Sequence, residues 1–500
     1  MKKIVGSVVT LAVLVVGGYY GTGLVTERTL KKNMDLMNQT SGLSVEMNGY
    51  KRGLFTSKAQ LTWQLQTPQR LINDKEGKSI LEPSKTITFE MPISIYHGPV
   101  IYAADGIHFG LGYASSEVTL PEAYQAKFAA YFSSASIAPK LDLNLFVTYL
   151  DNTHLHVNVP AFRLITKQDK SQFEWLGMTS DHSISPTMHH VDGHLTVNGV
   201  RAKKDNSVVI LEEVTSTYNL NQSPEGLYLG DITVSIPSLL ATEADHPYLE
   251  MIAFQGSSSS GVVDALFGSS FHASVEKVLY HDKTYGPGEV NLAIKNLDAV
   301  VLATINEKAN QMHQVTTEAE RQQALLMLLP EVPKLLNKGA TIDLSLLHVV
   351  MPEGAVDSTL RVMLPKGEAS NPFQLIQKID GEGQIKVPAV LLKAMLVQSE
   401  KQKLMSQAAV VPAIAPATAT VSVPAVAPVP AVAPTPVVSV VEKTSELDQQ
   451  AMAEANKKLA DLLKAGALVE AGVDYVIAVK LVAGQFSVNG HPFNSGMLQF

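Results

Sequence analysis

The stretch LDLNLFVTYLDNTHLHVNVP (141–160) alternates apolar and polar side chains in two successive runs. Leu143 and Leu145 fall on one side of the first run, and Leu155 and Val157 repeat the device in the second. A period of two residues is typical of a β-strand with one buried side. The stretch therefore predicts two neighbouring strands that share one apolar face.

The same period recurs over 43–300 and 340–390, which predicts many short strands in meander order. Asn-Gly and Asp-Gly pairs tolerate the positive φ of two-residue hairpin turns, so they favour antiparallel neighbours. These pairs lie at 48–49, 105–106, 192–193, 198–199, 380–381 and 489–490. The predicted fold class is α+β, mainly β, with extended, curved antiparallel sheets, several packed helices and one N-terminal transmembrane helix.

Helical spacing of apolar residues predicts a small number of helices that pack on the sheet. The stretch DYVIAVKLVAGQFSVNGHPF (474–493) predicts a closing hairpin that turns at 483–484. The predicted helices cover residues 26–38, 121–132, 302–337, 388–406 and 445–468.

The N-terminal segment carries two lysines followed by an apolar run over 4–25. About 20 apolar residues in a helix cross the hydrocarbon core of a bilayer. The run continues through Tyr19 and Tyr20, an aromatic pair typical of a membrane interface, which favours an uncleaved anchor. A signal peptide cleaved near 21–23 is the alternative, and the flanking positive charges leave the orientation open.

Composition excludes several classes of function. The 500 residues contain no cysteine, which rules out disulfides, thiolate metal sites and a cysteine nucleophile. The net charge of -8 comes with no basic stripe of interleaved aromatic residues, so nucleic acid is not an expected partner.

A Pro-, Ala- and Val-rich stretch divides the chain near its C-terminal end. Regular proline stops both helix and sheet, so we interpret 407–443 as a linker, with a recognition segment and an insert of no consequence as alternatives. The predicted organisation is a membrane anchor at 1–25, a β-rich domain at 26–406, the linker, and a C-terminal helix and hairpin at 444–500. We expect the last segment to dock on the main domain.

Two short motifs stand out beside the strands: NGYKRGLFTSKAQLTW (48–63) and YHGPV (96–100). In the first, a glycine turns the chain between two aromatic anchors, and a basic pair contacts lipid headgroups or is simply solvated. In the second, a histidine forms a hydrogen-bonded corner rather than a catalytic base. The residues singled out as structural or membrane-proximal are Tyr50, Lys51, Arg52, Gly53, Phe55, His97, Gly98 and Pro99.

The order of these motifs, followed by LVAGQFSVNGHPF (481–493), resembles the YdgA-like family of bacterial single-anchor envelope proteins of unknown function. Stretches 284–298 and 328–347 extend the resemblance over most of the chain apart from the Pro-rich stretch. The resemblance implies an inner-membrane anchor with the bulk of the chain in the periplasm. It implies no catalytic residues.

The stretch HHVDGH (189–194) is the best metal candidate, since His190, Asp192 and His194 would share a face on an extended strand. We expect Asp192-Gly193 to form a hairpin turn that separates these side chains, so we predict no metal site and no cofactor. GSSSSG (256–261) has the wrong spacing for a nucleophile elbow and is interpreted as a loop. No phosphate-binding loop, dinucleotide motif or His-Glu-x-x-His is present.

These observations predict a non-enzymatic, inner-membrane-anchored periplasmic protein, held by residues 4–25, that binds an apolar ligand such as lipid or an envelope protein partner. A self-assembling, homo-oligomeric envelope scaffold is one alternative. A hydrolase with an unrecognised site is the other.

Overall fold

The computed structural model describes residues 27–28, 31, 34–35, 38, 43–66, 70–73, 79–82, 86–103, 105–312, 326–367, 378–409, 439–482 and 484–492. No helix within these ranges has the length and apolar character needed to cross a bilayer. The predicted anchor at 4–25 and most of the predicted linker lie outside the described residues.

The N-terminal strands form an antiparallel ladder in which β1, β2, β5, β8 and β9 are successive neighbours, while β3–β4 and β6–β7 are separate hairpins. The bounds are β1 (Leu43–Arg52), β2 (Thr56–Gln66), β3 (Arg70–Asn73), β4 (Ser79–Glu82), β5 (Thr86–His97), β6 (Ile101–Ala103), β7 (Gly106–His108), β8 (Gly112–Val118) and β9 (Leu141–Val147).

The central strands continue the same ladder from β9 through β10, β13, β14, β17, β18, β19, β20 and β23. Their bounds are β10 (Thr153–Val159), β11 (Phe162–Ile165), β12 (Gln172–Trp175), β13 (Met178–Ile184), β14 (His190–Val197), β15 (Val200–Lys204), β16 (Ser207–Leu211), β17 (Val214–Gln222), β18 (Tyr228–Glu243), β19 (His246–Val263), β20 (Leu266–Val275), β21 (Lys277–Tyr280), β22 (Lys283–Tyr285) and β23 (Gly288–Asp298).

One line interrupts the pleat across this central region. On one side Val159 pairs with Met178, and three residues further along Phe162 pairs with Trp175, so the register is the same on both sides. Residues at the line adopt positive φ, as Gly177 (114°), Gly199 (121°) and Ala253 (53°) do. We call this line the crease; strands β11, β12, β15, β16, β21 and β22 lie beyond it.

The C-terminal strands extend the ladder from β23 through β24, β25, β26, β28 and β29. Their bounds are β24 (Thr341–Met351), β25 (Gly354–Met363), β26 (Asp380–Pro388), β27 (Val469–Ala471), β28 (Asp474–Val482), β29 (Gln485–Val488) and β30 (His491–Pro492). The helices described from end to end are α1 (Glu122–Tyr131), α2 (Ala299–Met312), α3 (Glu331–Leu336), α4 (Ala389–Ala409) and α5 (Ser439–Lys464). Residues 27, 28, 31, 34 and 35 are helical as well.

Alternate residues of each strand point to opposite sides of the sheet, and directly paired residues of neighbouring strands point to the same side. The side that we call the apolar face carries a row of directly paired residues running from β8 to β29. That row is Ala114, Leu145, Leu155, His182, Gly193, Tyr218, Ile232, Ser258, Phe271, Leu292, Leu344, Leu360, Gly383, Val479 and Val488.

The opposite side, which we call the polar face, carries a row of directly paired hydrophilic residues from β8 to β23. That row is Ser115, Asn144, His156, Asp181, His194, Thr217, Thr233, Ser257, His272 and Asn291.

The buried core lies at the two ends of the apolar face. At the N-terminal end, residues of β1, β2, β5 and β8 pack against Met34, one of the described helical residues. At the C-terminal end, Val387 and Tyr475 pack under helices α4 and α5, which meet the sheet near Leu468.

The predicted class, mainly β with an extended antiparallel sheet, is confirmed. Of the predicted turns, 198–199 joins β14 to β15 and 489–490 joins β29 to β30, whereas Gly106 of the pair at 105–106 already belongs to β7. The turn predicted at 192–193 is wrong, since both residues lie inside β14. The loop predicted at 256–261 is wrong as well, because these residues belong to β19, which pairs with strands on both sides.

Candidate apolar binding site

An apolar cavity of about 270 Å³ lies at the N-terminal end of the apolar face. Its lining comes mainly from residues of β1, β2, β5, β8, β9 and β10 on the apolar face, with Met34 as the cover. Residues that define it include Val45, Leu61, Trp63, Ile93, Leu145 and Leu155. Because the walls are almost wholly apolar, the cavity suits a hydrocarbon group rather than a polar substrate.

Side-chain hydrogen bonds hold the cover of the cavity in place. The Asn38 side-chain amide forms two hydrogen bonds with the backbone of Val45. The Val45 N–H donates to Asn38 Oδ1 at 2.6 Å, and Asn38 Nδ2 donates to the Val45 carbonyl at 2.9 Å. Glu27, the first described residue, forms ion pairs with Arg52 and with Lys31. The cover is therefore tied to β1.

The apolar face continues past the cavity as an open surface. Ile232, Phe271, Ile342, Leu360 and Ile385 all project from it, yet each is between 39% and 46% exposed. They lie on β18, β20, β24, β25 and β26, between the two covered ends. We call this surface the open stretch.

A small polar network marks the boundary between the cavity and the open stretch. His182 Nδ1 lies 2.6 Å from the Tyr218 hydroxyl, and His182 Nε2 lies 2.8 Å from Ser180 Oγ. The His–Tyr contact passes over Gly193, where an added Cβ would come within 2.6 Å of His182 Nδ1. A glycine is therefore required for this contact to form.

Burial lowers the pKa of His182, its neighbour His194 lowers it further, and only Asp181 acts in the opposite direction. Burial also raises the pKa of the Tyr218 hydroxyl. Both groups therefore favour their neutral forms, which suits their position on the apolar face.

The metal candidate HHVDGH (189–194) does not contain the expected hairpin turn. His190, Asp192 and His194 share one side of β14, because Asp192-Gly193 is part of the strand and forms no turn. His190 Nε2 contacts Asp192 Oδ1 at 3.1 Å, whereas His194 Nε2 reaches across to Asp181 Oδ2 at 3.3 Å.

A third imidazole joins the same region of the polar face, with His156 Nδ1 2.6 Å from Asp181 Oδ1. Each histidine is thus paired with a carboxylate of its own or a neighbouring strand. Within the described ranges, no group of three or more His, Asp or Glu side chains converges in a way that could hold a metal ion.

The two sequence motifs meet at one edge of the sheet. His97 Nε2 lies 3.0 Å from Ser57 Oγ, both side chains being almost fully buried, and the His97 N–H donates to the Phe55 carbonyl at 3.1 Å. A Cβ at Gly53 would come within 2.3 Å of the Thr56 carbonyl oxygen, so the turn between β1 and β2 accepts only glycine.

The remaining motif residues divide into a buried and an exposed group. Tyr50 packs against the N-terminal core, and Gly98 adopts a φ of 135°. Lys51, Arg52 and Phe55 are exposed. Pro99 accepts a hydrogen bond from the Tyr149 hydroxyl. The aromatic anchors expected on both sides of Gly53 are thus realised only by Tyr50.

Sequence reasoning missed the boundary network and the open stretch. Gly193 carried a signal, since a lone glycine inside a strand pattern marks a close approach, but it was assigned to a turn. The exposure of Ile232 carried no signal, because strand alternation is the same whether the apolar side is covered or open.

Comparison with curated proteins finds no match, and comparison with solved structures finds none either. A family model described as a bacterial protein of unknown function (DUF945) matches residues 1–495. Because that match spans nearly the whole sequence, the chain belongs to this bacterial family of unknown function, DUF945.

Proposed function

We propose that this protein is a non-enzymatic, inner-membrane-anchored periplasmic protein that binds lipid acyl chains along its apolar face. The observation that carries the proposal is the single row of paired residues that leads from the cavity, past His182 and Tyr218, to the exposed side chains of the open stretch.

The dimensions of the apolar face favour hydrocarbon chains as the occupant. At about 4.8 Å for each strand spacing, the row from β8 to β29 runs for about 65 Å, longer than one acyl chain. Each methylene moved from water to an apolar surface contributes about 0.8 kcal/mol. A chain lying across several strands therefore gains enough to bind without specific polar contacts.

The cavity adds enclosure to this surface. Its volume of about 270 Å³ is close to the lower end of the about 300–1,000 Å³ typical of ligand sites, which fits part of one chain. The rest of the chain would extend over the open stretch. A folded protein partner would instead need complementary polar groups at its rim, and the apolar row offers few.

The location is proposed from the sequence. The apolar run over 4–25 is long enough for an anchor, and the resemblance to YdgA-like envelope proteins supports an inner-membrane position with the bulk of the chain in the periplasm. An acyl-chain binder there would draw its ligand from the adjacent bilayer.

Site-specific photo-crosslinking in bacterial cells tests the acyl-chain proposal. A benzophenone amino acid replaces Ile232 or Phe271 on the apolar face, with Thr233 and Ser270, their neighbours on the polar face, as matched controls. After irradiation, the full-length protein is purified and its adducts are identified by mass spectrometry. We expect lipid adducts at Ile232 and Phe271 and none at the controls.

Equal lipid labelling at all four positions, or none, would contradict the proposal. Adducts with another protein would favour an envelope partner, and adducts between two copies would favour the scaffold alternative. Since adjacent residues on one strand differ only in the side they face, unspecific contact with the membrane labels both and is recognised as such.

A further inference from the structure

Six large apolar side chains are exposed at three hairpin tips on one edge of the sheet, and each is between 40% and 79% exposed. The tips are the turn between β1 and β2, the β6–β7 hairpin with the residues that follow it, and the turn between β9 and β10. We call this surface the tip patch; it comprises Leu54, Phe55, Tyr102, Ile107, Phe109 and Leu150.

Backbone and side-chain contacts hold the three tips next to one another. The His97 N–H donates to the Phe55 carbonyl at 3.1 Å, which joins the first tip to the end of β5. The Tyr149 hydroxyl donates to the Pro99 carbonyl, which joins the third tip to the start of the second. The Leu111 N–H donates to the Val147 carbonyl at 2.9 Å and closes the set. The three tips of the tip patch are therefore held side by side.

The described chain begins beside this patch. Glu27 is ion-paired with Arg52 at the base of the first tip, and hydrogen bonds from Lys31 and then Arg52 hold the pKa of Glu27 below its ordinary value. In the sequence, Glu27 follows the apolar run over 4–25 by two positions. Glu27, the first described residue, thus lies at the same edge of the sheet as the tip patch.

We infer that the tip patch lies against a lipid bilayer and inserts its apolar side chains among the headgroups. A patch of large apolar residues in water is costly unless something covers it, and aromatic side chains such as Tyr102 and Phe109 favour the membrane interface. Lys51 beside the patch adds attraction to anionic headgroups, whereas the charge of Arg52 is compensated by Glu27. The inference rests on the proposed function for its purpose, since the bilayer is the source of the acyl chains.

Docking of the tip patch on the bilayer determines which end of the cavity faces the lipid. Gly112 and Val147, which line the cavity, lie at the edge of the sheet from which the tips project. With the tip patch against the bilayer, this end of the cavity faces the lipid. An acyl chain leaving the bilayer would then enter the apolar face at β8 and β9.

Spin labelling of the full-length protein tests the inference, and the absence of cysteine makes single labels straightforward. Leu150→Cys and Phe109→Cys place a nitroxide on the tip patch. Val473→Cys is the matched control, since it is 82% exposed in the turn between β27 and β28 at the opposite edge of the sheet. The protein is reconstituted in vesicles of phosphatidylethanolamine with a minority of phosphatidylglycerol, and collision rates with oxygen and with a water-soluble nickel chelate are measured.

We expect the oxygen-to-nickel collision ratio at Leu150→Cys and Phe109→Cys to exceed that at Val473→Cys several-fold. Equal ratios at all three positions would overturn the inference. Spin–spin broadening at Phe109→Cys, which disappears on dilution with unlabelled protein, would overturn it too, because it would place the patch between two copies. All three positions are exposed, so labelling does not compete with folding.

Photo-crosslinking at Phe271 in the same vesicles separates this inference from the proposed function. Lipid adducts at Phe271 with water-exposed tips would leave acyl-chain binding standing and overturn membrane docking. Membrane-buried tips without adducts at Phe271 would support docking and contradict acyl-chain binding.

Discussion

Two regions of the apolar face have the same strand pattern and opposite surroundings. Ile95 in β5 is 1% exposed under the cover that includes Met34, whereas Ile232 in β18, on the same face, is 42% exposed. Both come from period-two strands with antiparallel neighbours on each side. Alternation therefore determines which side of the sheet a residue takes, while its burial depends on what else packs on that side.

The open stretch also differs in the size of its side chains. Gly256 and Ser258 lie beside Val234 and Ile232, and Gly383 lies beside Leu360. At the covered end the corresponding positions carry larger groups such as Met91. Small residues between large ones leave shallow grooves on the surface. Such grooves suit an acyl chain better than a packed helix.

The largest effect on stability is expected from truncating Ile95, with the truncation of Ile232 as the comparison. Ile95→Ala removes buried methyl groups and leaves a cavity, so we expect a loss of about 3–4 kcal/mol in the free energy of unfolding. Ile232→Ala removes groups that are already half in water, and we expect a loss of about 1 kcal/mol. Chemical denaturation of the full-length protein in detergent measures both, and equal losses would contradict the comparison.

A smaller effect is expected at the boundary between the two regions. Gly193→Ala places a Cβ within 2.6 Å of His182 Nδ1 and 2.8 Å of both the Tyr218 hydroxyl and the Asp181 carbonyl oxygen. The resulting displacement is expected to destabilise the protein by about 1–3 kcal/mol.

Gly261→Ala is the matched control for Gly193→Ala, because nothing lies within 4 Å of the added Cβ although Gly261 is also in a strand. Its stability is expected to stay unchanged or rise slightly. A Gly193→Ala protein as stable as this control would show that the His182–Tyr218 contact is not held over the glycine.

The open stretch is expected to respond in binding rather than in stability. Phe271→Asp introduces a charge on the apolar face, and we expect the affinity for a fluorescent fatty acid to fall on the order of tenfold, or about 1.4 kcal/mol. Ser270→Asp changes the same strand on the polar face and is expected to leave the affinity unchanged. An identical loss in both variants would mean that the two faces do not differ in ligand binding.

The smallest effect is expected from pH at the boundary network. Because burial lowers the pKa of His182 below its ordinary value of 6.5, the folded protein binds this proton less readily than the unfolded chain. The contribution of His182 to stability is therefore complete above pH 6.5 and declines as the pH falls below it.

Thermal unfolding of the wild type and of His182→Gln, measured from neutral pH down to about pH 5, isolates this contribution. The wild type is expected to lose more stability than the variant over this range. Parallel pH profiles would indicate that His182 titrates as an ordinary exposed histidine.

Much of the fold could be predicted from the sequence, because a strand with one apolar side shows a two-residue alternation of apolar and polar residues. The runs at 141–147 and 153–159 form β9 and β10 as expected, and α1 follows the predicted helix within one residue. The helix predicted at 302–337 is present as α2 and α3, with 313–325 outside the described residues.

Asn-Gly and Asp-Gly pairs gave wrong turn predictions where they lie inside long strands. Asp192-Gly193 lies inside β14 because β13 and β17 hold the strand from both sides, and this tertiary pairing outweighs the local preference for a turn. At 48–49 the same conflict produces a register shift inside β1 rather than a hairpin.

The candidate site was the least predictable part. Its ligand hypothesis came from the apolar alternation, but the cavity also needs Met34, which belongs to none of the strands. The boundary network needs His182 and Tyr218 to meet over a glycine of the strand that lies between theirs in the ladder. Such meetings depend on register, which a single sequence does not reveal.

The ladder also has an evolutionary consequence. From β8 to β26 nearly every strand pairs with strands close to it in the chain, so the pairing of one hairpin requires little from hairpins further along. Inserting or deleting two strands preserves both the direction of the chain and the side on which each residue lies. Such a scaffold can be lengthened or shortened in units of one hairpin, so its reach is free to vary between relatives while its two ends remain unchanged.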